Sequence, residues 1–171
     1  MNSYSLMLGA VLVGFASGVG AACVGNIPPS TPSSDFTVNT DATVIHQKTG
    51  LIWMRCSLGQ SWNGSTCTGS ARNYTWQQAL QAGKALNDAG GYAGRTDWRL
   101  PNIKELRSIV ESQCYSPPMN TEVFPNTPAS SFWSASASNP LGSAWYITSD
   151  GATFHLSDVI PYPVRLVRAG Q

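Results

Sequence analysis

The sequence carries little charge. Asp, Glu, Lys and Arg make up 11% of its 171 residues, and the formal net charge is +1. Proteins that bind nucleic acid usually carry a clear basic excess, so a nucleic-acid partner is not expected. Turn-forming residues and aromatic residues, including six Trp, are plentiful instead. This composition favours a single loop-rich extracellular domain whose core is built on large aromatic side chains.

Residues suited to catalysis and to zinc binding are also scarce. The chain has two histidines, His46 and His155, and contains no Cys-x-x-Cys pair. Neither histidine lies near a recognisable serine or cysteine motif, and a nucleophile needs an oriented base to be activated. We therefore expect neither an enzyme nor a zinc site.

Long apolar runs are absent except at the N-terminus. Residues 6–19 (LMLGAVLVGFASGV) are apolar, and the small residues 20–22 (GAA) follow. The run is too short to span a membrane and is typical of a secretory signal peptide, residues 1–21, cleaved just before Ala22 or Cys23. No Lys or Arg precedes the run, which leaves a retained N-terminal anchor as the alternative. No other stretch is apolar enough to cross a membrane.

Four cysteines predict two disulfides. An exported chain with an even number of cysteines usually pairs them, and four cysteines allow three pairings. Cys56 and Cys67 bracket a polar, glycine-rich loop, so we expect this pair and a second bridge, Cys23–Cys114. The alternative for Cys23 is lipidation directly after the signal peptide. Gly20 stands where a lipidation motif usually has Leu, and lipidation would leave Cys114 unpaired, so the disulfide is favoured.

The order of the secondary-structure patterns predicts an α+β domain, with two helices packed on an antiparallel sheet. A Pro/Ser-rich arm, residues 22–35, is expected to run extended over the surface. β-Branched and aromatic runs between turn signals predict strands at residues 36–38, 43–45, 51–54, 132–135, 144–147, 153–156 and 164–168. Asp150-Gly151, between two of these runs, is a hairpin signal.

Two helices are predicted between the early and the late strands. Thr75 and Asn102 are suitable caps, followed three residues later by Gln78 and Glu105 in capping-box arrangements. Gly90-Gly91 ends the first helix. Helical spacing predicts two buried faces: Trp76, Ala79, Leu80, Gly83 and Leu86 in the first helix, and Ile103, Leu106, Ile109 and Val110 in the second.

Five short motifs follow one another along the chain. They are residues 49–53 (TGLIW), 74–80 (YTWQQAL), 97–106 (DWRLPNIKEL), 132–136 (FWSAS) and 164–168 (VRLVR). In this order and spacing they resemble the C-terminal domain family of the Legionella collagen-like adhesin, over residues 35–170. The resemblance implies a C-type-lectin-like fold for residues 22–171. It also implies a secreted, periplasmic or cell-surface protein that binds ligands, glycans among them.

Two departures from the family affect these expectations. Ala42 stands where relatives often have Gly in the first turn, so Asn39 or Asp41 would take any positive-φ position there. The family's adhesin is linked to sulfated polysaccharides, yet this chain has no basic cluster, which argues against a polyanionic ligand.

No cofactor is expected. The Glu-Pro-Asn-like loop and the Trp-Asn-Asp-like strand that supply calcium ligands in sugar-binding C-type lectins are both missing from the sequence. Asp150 and Asp158 lie eight residues apart across the predicted hairpin, and they leave a calcium ion open as an alternative.

The C-terminal hairpin region is the candidate ligand site. It gathers aromatic rings, which stack on sugars, and polar groups, which hydrogen-bond their hydroxyls: Trp145, Tyr146, Asp150, His155, Asp158 and Tyr162. Lectin-like folds usually display their variable binding face here, so we predict an adhesin-type module that binds extracellular glycan. The alternative is a structural or assembly subunit of a surface fibre, pilus or homo-oligomer that binds protein through the same face.

Other conspicuous residues are expected to be structural. In the 97–106 motif, Trp98 and Leu100 should be core residues, and Arg99 should pair with a carboxylate. Arg165 and Arg168 lie among apolar residues of the last predicted strand, a pattern typical of a solvent-exposed strand face. We therefore expect no ligand contact from these residues.

Overall fold

The computed structural model describes residues 21–139 and 142–170, so the predicted signal peptide lies outside the described residues except for Ala21. No helix in these two ranges is long and apolar enough to cross a membrane. The helices are α1 (Trp76–Asp88) and α2 (Ile103–Arg107), with a single 3-10 turn at Ser33–Asp35. The strands are β1 (Ala22–Cys23), β2 (Phe36–Val38), β3 (Thr43–His46), β4 (Leu51–Met54), β5 (Ser61–Trp62), β6 (Cys67–Thr68), β7 (Asn73–Tyr74), β8 (Cys114–Tyr115), β9 (Phe132–Ala137), β10 (Ser143–Ile147), β11 (Thr153–Ser157), β12 (Tyr162–Pro163) and β13 (Val167–Arg168).

Two antiparallel sheets form the frame of the described chain. The first has four strands in the order β13-β4-β3-β2, and the second has three in the order β11-β10-β9. Three two-stranded ribbons, β1-β8, β12-β7 and β5-β6, are antiparallel as well. The predicted combination of antiparallel strands and two helices is confirmed, although the strands divide into several sheets.

Strand β4 explains how the core is organised. Successive side chains of a strand point to opposite faces of the sheet. Trp53 therefore enters one cluster of buried residues, with Phe124 and Phe132, while its neighbours Ile52 and Met54 enter a second cluster. Burial on both faces accounts for the continuous apolar run of β4 in the sequence. Trp53 is fully buried, and truncating a residue of this kind to Ala typically costs about 3–5 kcal/mol.

Helix α1 begins at the predicted cap and buries the predicted face except at Leu80: Ala79 and Gly83 are buried, and Trp76 and Leu86 pack, partly buried, against the second core cluster. Thr75 and Gln78 form the expected capping box. The buried residues are the small ones, Ala79, Ala82 and Gly83, whereas Leu80 is 41% exposed, so its predicted burial was wrong. The backbone of Trp98 approaches the helix closely at Gly83, where an added Cβ atom would lie 2.7 Å from the Trp98 carbonyl oxygen. The buried face is therefore centred on Ala79, Ala82 and Gly83, and Leu80 lies at its exposed edge.

Helix α2 also begins at its predicted cap, with Asn102 and Glu105 forming the capping box. It ends at Arg107, before two of the residues assigned to its apolar face. Ile109 and Val110 are nevertheless buried in the core beyond the helix end. The apolar spacing therefore predicted the burial of these two residues correctly, but it overestimated the length of α2.

Both disulfides are present in the favoured pairing, Cys23–Cys114 and Cys56–Cys67. The first joins the N-terminal arm to β8. The arm is also held by the buried Glu111 carboxylate, which accepts hydrogen bonds from the main-chain N–H groups of Ser30 and Thr31, both at 2.9 Å. The prediction that the arm lies on the surface was thus wrong at Thr31, which is buried.

The 97–106 motif packs as predicted. Trp98 and Leu100 are buried in the second core cluster. The Arg99 guanidinium forms a two-pronged ion pair with Glu105, with both N–O distances at 2.7 Å. This bond raises the pKa of Arg99 and lowers that of Glu105. Because Glu105 also belongs to the capping box, the motif fixes the start of α2.

The expected exposure of the two late arginines was wrong. Arg165 is fully buried and Arg168 nearly so. The Arg165 guanidinium donates to the main-chain oxygens of Met54 and Arg55 at the end of β4, and to the Thr127 hydroxyl at 2.8 Å. These oxygens need donors because the chain leaves the sheet there. Alternation in the sequence could not distinguish this internal role from a solvated strand face.

The first turn differs from its prediction as well. Ala42 itself has a positive φ of 63°, and neither Asn39 nor Asp41 does. The Asp41 carboxylate accepts hydrogen bonds from the N–H and the hydroxyl of Thr43, which fixes Asp41 outside the left-handed region. The positive φ therefore falls on Ala42, which is buried in the turn. Its main-chain oxygen accepts a hydrogen bond from Arg55 N.

Candidate functional site

The hairpin of β10 and β11 carries most of the predicted site residues, but on two opposite faces. In the observed register Trp145 lies opposite His155, and Tyr146 lies opposite Phe154. Opposed residues of an antiparallel pair share a face, and successive residues alternate between faces. Trp145 and His155 therefore lie on one side of the sheet, and Tyr146 lies on the other.

The first face is small and aromatic. The rings of Trp145 and His155 meet edge to face, with their centroids 5.2 Å apart. Trp145 is half-buried, while His155 is exposed. On the same side, Arg107 of α2 reaches the hairpin and donates a 3.0 Å hydrogen bond to the Thr153 hydroxyl. The helix thus supports this face near the hairpin tip.

The second face is formed by Tyr146, Phe154 and Tyr162, and we call it the tyrosine face. The rings of Tyr146 and Tyr162 are stacked at a centroid distance of 5.3 Å, and both contact the buried Trp133 ring. The Trp133 indole N–H is itself fixed by the Tyr74 main-chain oxygen at 3.0 Å. The two tyrosine rings therefore rest on a rigid aromatic base.

Protonation keeps the tyrosine face uncharged. Burial, together with the neighbouring Tyr162 and Asp150, raises the pKa of the Tyr146 hydroxyl. The hydroxyl therefore stays protonated at neutral pH and can both donate and accept a hydrogen bond. Phe154 completes the face, and its side chain is 55% exposed, an unusual state for a phenyl ring in a strand.

The two aspartates lie at opposite ends of β11. Asp150, in the hairpin turn, accepts hydrogen bonds from the Thr148 hydroxyl and the Ala152 N–H, and these bonds lower the pKa of Asp150. Asp158 follows the strand, and its main-chain oxygen accepts from Trp76 N. The five residues of β11 between them span about 16 Å, so the two carboxylates do not converge on one ion. Residues 21–139 and 142–170 contain no group of three or more potential metal ligands.

The structure thus brings Tyr146 and Tyr162 together, and Trp145 with His155, but it does not form one site from all six residues. Phe154 was missed by the sequence analysis, although its position opposite Tyr146 follows from the hairpin register. Four clefts in the described surface are lined by other residues altogether. Two of these clefts share Asn73 in their linings, a residue that no sequence motif marked as functional.

The fold and the hairpin define a small disulfide-bonded domain of mixed α/β architecture with exposed aromatic surface. A comparison with family models matches residues 42–168 to the Lcl C-terminal domain. The match covers most of the chain, so the chain belongs to the Lcl C-terminal domain family, and the identification from the five motifs is confirmed. No curated protein matches the chain.

Membership of this family suggests an adhesin-type domain of the bacterial surface. The two disulfides are consistent with an extracellular location, because such bonds persist mainly in oxidising compartments.

Proposed function

We propose that the chain is a secreted or surface-displayed module with a C-type-lectin-like fold that binds an extracellular glycan through the tyrosine face. The single observation that carries this proposal is the stacked pair of Tyr146 and Tyr162 beside the exposed Phe154. In this proposal the module is not an enzyme and needs no bound metal. The sequence and the family both support an exported protein.

The chemistry of the face suits a sugar ring. Aromatic side chains offer large, rigid apolar surfaces, and a tyrosine adds a hydroxyl that can bond a sugar hydroxyl. The stacked tyrosines lose little conformational entropy on binding because Trp133 already holds them in place. Phe154 is exposed and the two tyrosines are half-buried, so part of each ring on this face is open to a ligand.

A glycan array, run with and without calcium, tests the proposal. Phe154→Ser should weaken saturable glycan binding about fivefold or more, since it removes exposed stacking area without opening the core. Val38→Ser is the matched control: Val38 is 49% exposed on the edge of the other sheet, and its loss should leave binding unchanged. Equal effects of the two variants, or the absence of any saturable glycan, would refute the proposal.

A second candidate function, assembly with protein, is favoured by the edge of β11. Thr148 N donates to Ala152 O, and Asp158 N donates to Gly142 O, one at each end of the pairing between β10 and β11. Because hydrogen-bonded and non-hydrogen-bonded residue pairs alternate along an antiparallel pair, the main-chain groups of Thr153 and His155 point away from β10. The opposite edge of this sheet is covered, because Ala135 N donates to Pro101 O. An uncovered edge strand without charge is a template for strand addition.

Light scattering after size-exclusion chromatography tests the assembly function. His155→Pro removes an outward N–H without breaking the ladder to β10, so it should dissociate any assembly built on this edge. Val38→Pro, at the edge of the four-stranded sheet, is the control. A monomer at all concentrations would exclude self-association through β11, and an assembly that His155→Pro leaves intact would place the contact elsewhere.

A further inference from the structure

Two surface clefts share Asn73 in their linings, and we call them together the Asn73 groove. The first has a cavity volume of about 340 Å³ and is lined by polar residues of the β5-β6 loop and the 126–130 segment. The second, of about 390 Å³, runs between β7 and α1. Asn73 lines both clefts. Each volume falls within the range of about 300–1,000 Å³ that small-ligand sites occupy.

The lining of the groove is rich in amides and hydroxyls. Gln60, Ser70, Asn126 and Ser130 line the first cleft, and Gln78 and Gln81 line the second. No carboxylate lines either cleft, and Arg72 is the one charged residue in their linings. Such a surface offers both donors and acceptors, which matches a ligand that carries many hydroxyl groups.

Several of these polar groups are available to a ligand. Within residues 21–139 and 142–170, the side chains of Asn73, Ser70, Ser130 and Gln81 make no hydrogen bond to the protein. All four belong to exposed or partly exposed positions, where water occupies them in the free protein. A ligand can therefore replace this water without breaking any bond that holds the fold together.

Other groups of the groove are already fixed in position. The Asn126 amide donates to Cys67 O at 2.8 Å, and the Gln60 amide donates to Asn126 O at 2.9 Å. Asn126 also has a positive φ of 52°, a conformation that costs energy and is often kept at functional sites. The Cys56–Cys67 disulfide closes the same loop. One wall of the groove is thus preorganised, which reduces the entropy lost on binding.

We propose that the Asn73 groove binds a neutral oligosaccharide. A polyanion would find a single cation, Arg72, and a cation would find no carboxylate. An apolar ligand would bury unpaired amides, which is costly. Tyr74, in the second cleft, supplies a ring against which a sugar can pack. This proposal takes one thing from the proposed function, namely that the ligand is a glycan. It does not depend on the tyrosine face, because the groove and that face are formed by different residues.

Nuclear magnetic resonance reads the two sites separately. Uniformly 15N-labelled protein is titrated with maltotriose, chitotriose and mannotriose, and with a chondroitin sulfate hexasaccharide as the anionic probe. The side-chain amides of Asn73 and Gln81 report on the groove, and main-chain amides of Tyr146 and Phe154 report on the tyrosine face. At least one neutral trisaccharide should shift the groove amides saturably. Asn73→Ala and Gln81→Ala should each raise its Kd about tenfold, because each removes hydrogen bonds to the ligand.

Gln77→Ala is the matched control, because Gln77 is exposed on the same helix as Gln81 and does not line the groove. Its Kd should stay within about twofold of the wild-type value. Chemical-shift changes confined to the tyrosine face would contradict binding in the groove and would still support the proposed function. Groove shifts with the hexasaccharide alone, equal effects of Gln77→Ala and Gln81→Ala, or no groove shifts at all would also overturn the proposal that the groove binds a neutral oligosaccharide.

Discussion

Glu111 should be one of the main determinants of stability, although it touches no proposed ligand. Its carboxylate is 2% exposed and ties the N-terminal arm to the segment before β8. One oxygen accepts from the N–H of Ser30 at 2.9 Å and from its hydroxyl at 3.0 Å. The other accepts from the N–H and the hydroxyl of Thr31 at 2.9 and 3.0 Å. Glu111→Gln preserves the shape and exchanges one of these acceptors for a donor.

The magnitude follows from the bonds that are lost. If the new amide nitrogen takes the place of Oε2, the buried N–H of Thr31 faces another donor. An unsatisfied buried donor costs about 1–3 kcal/mol, and the bonds that remain lose their charge assistance. We therefore expect Glu111→Gln to lower the free energy of unfolding by about 2–4 kcal/mol. Glu122→Gln is the control, since Glu122 accepts one exposed hydrogen bond, from the Ser33 hydroxyl.

Chemical denaturation with linear extrapolation measures this difference, and its pH dependence provides a second readout. Burial would raise the pKa of Glu111, but the hydrogen bonds from Ser30, Thr31 and Gln113 outweigh it, and the pKa is lowered. The stabilisation is therefore present above the unfolded-state pKa and is lost as pH falls below about 4.5 through the folded-state pKa. Glu111→Gln should lack this acid-side loss. A variant within about 0.5 kcal/mol of wild type at pH 7, with an unchanged acid limb, would refute the reasoning.

Two further predictions concern a buried arginine and a buried histidine. Burial, with Arg55 nearby, lowers the pKa of Arg165 to about 9, so its guanidinium is charged at neutral pH. Arg165→Lys should lower the free energy of unfolding, measured by urea denaturation, by about 3 kcal/mol, because an ammonium cannot reach all of the acceptors that the guanidinium bonds. Burial lowers the pKa of His46 despite the opposing effect of Asp35. Stability should therefore fall as pH drops below about 6.5, and a pH series of thermal unfolding on His46→Gln should show that this loss has disappeared.

Local signals in the sequence carried most of what could be predicted. The capping boxes at Thr75 and Asn102 and the hairpin turn at Asp150 depend on residues close together in the chain, so their geometry can be inferred from spacing alone. The disulfide pairing was inferred from loop composition. The family was identified from the order of five motifs, which are spread over most of the matched range, residues 42–168.

Long-range packing decided what the sequence could not show. The Trp98 backbone approaches α1 at Gly83, so the buried face of the helix is centred on Ala79, Ala82 and Gly83, and Leu80 lies at its exposed edge. Arg165 is buried because the chain after β4 presents main-chain oxygens without sheet partners. The candidate site is divided between two faces because Trp145 and Tyr146 are consecutive residues of β10, and consecutive side chains of a strand point to opposite sides of the sheet.

The same polar interior bears on the two candidate binding surfaces. Loops that lack regular structure are usually mobile, and a site built on them loses affinity because binding must order them. Here side chains supply the hydrogen bonds that a sheet would otherwise provide: Arg165 bonds the end of β4, Glu111 bonds the arm, and Asn126 bonds Cys67 in the disulfide loop. Each of these bonds joins segments far apart in the chain, and the bonds of Arg165 and Glu111 are buried. The loop beside the Asn73 groove is therefore anchored by the Cys56–Cys67 disulfide and by the Asn126 hydrogen bond, and anchoring of this kind favours a loop-built glycan site.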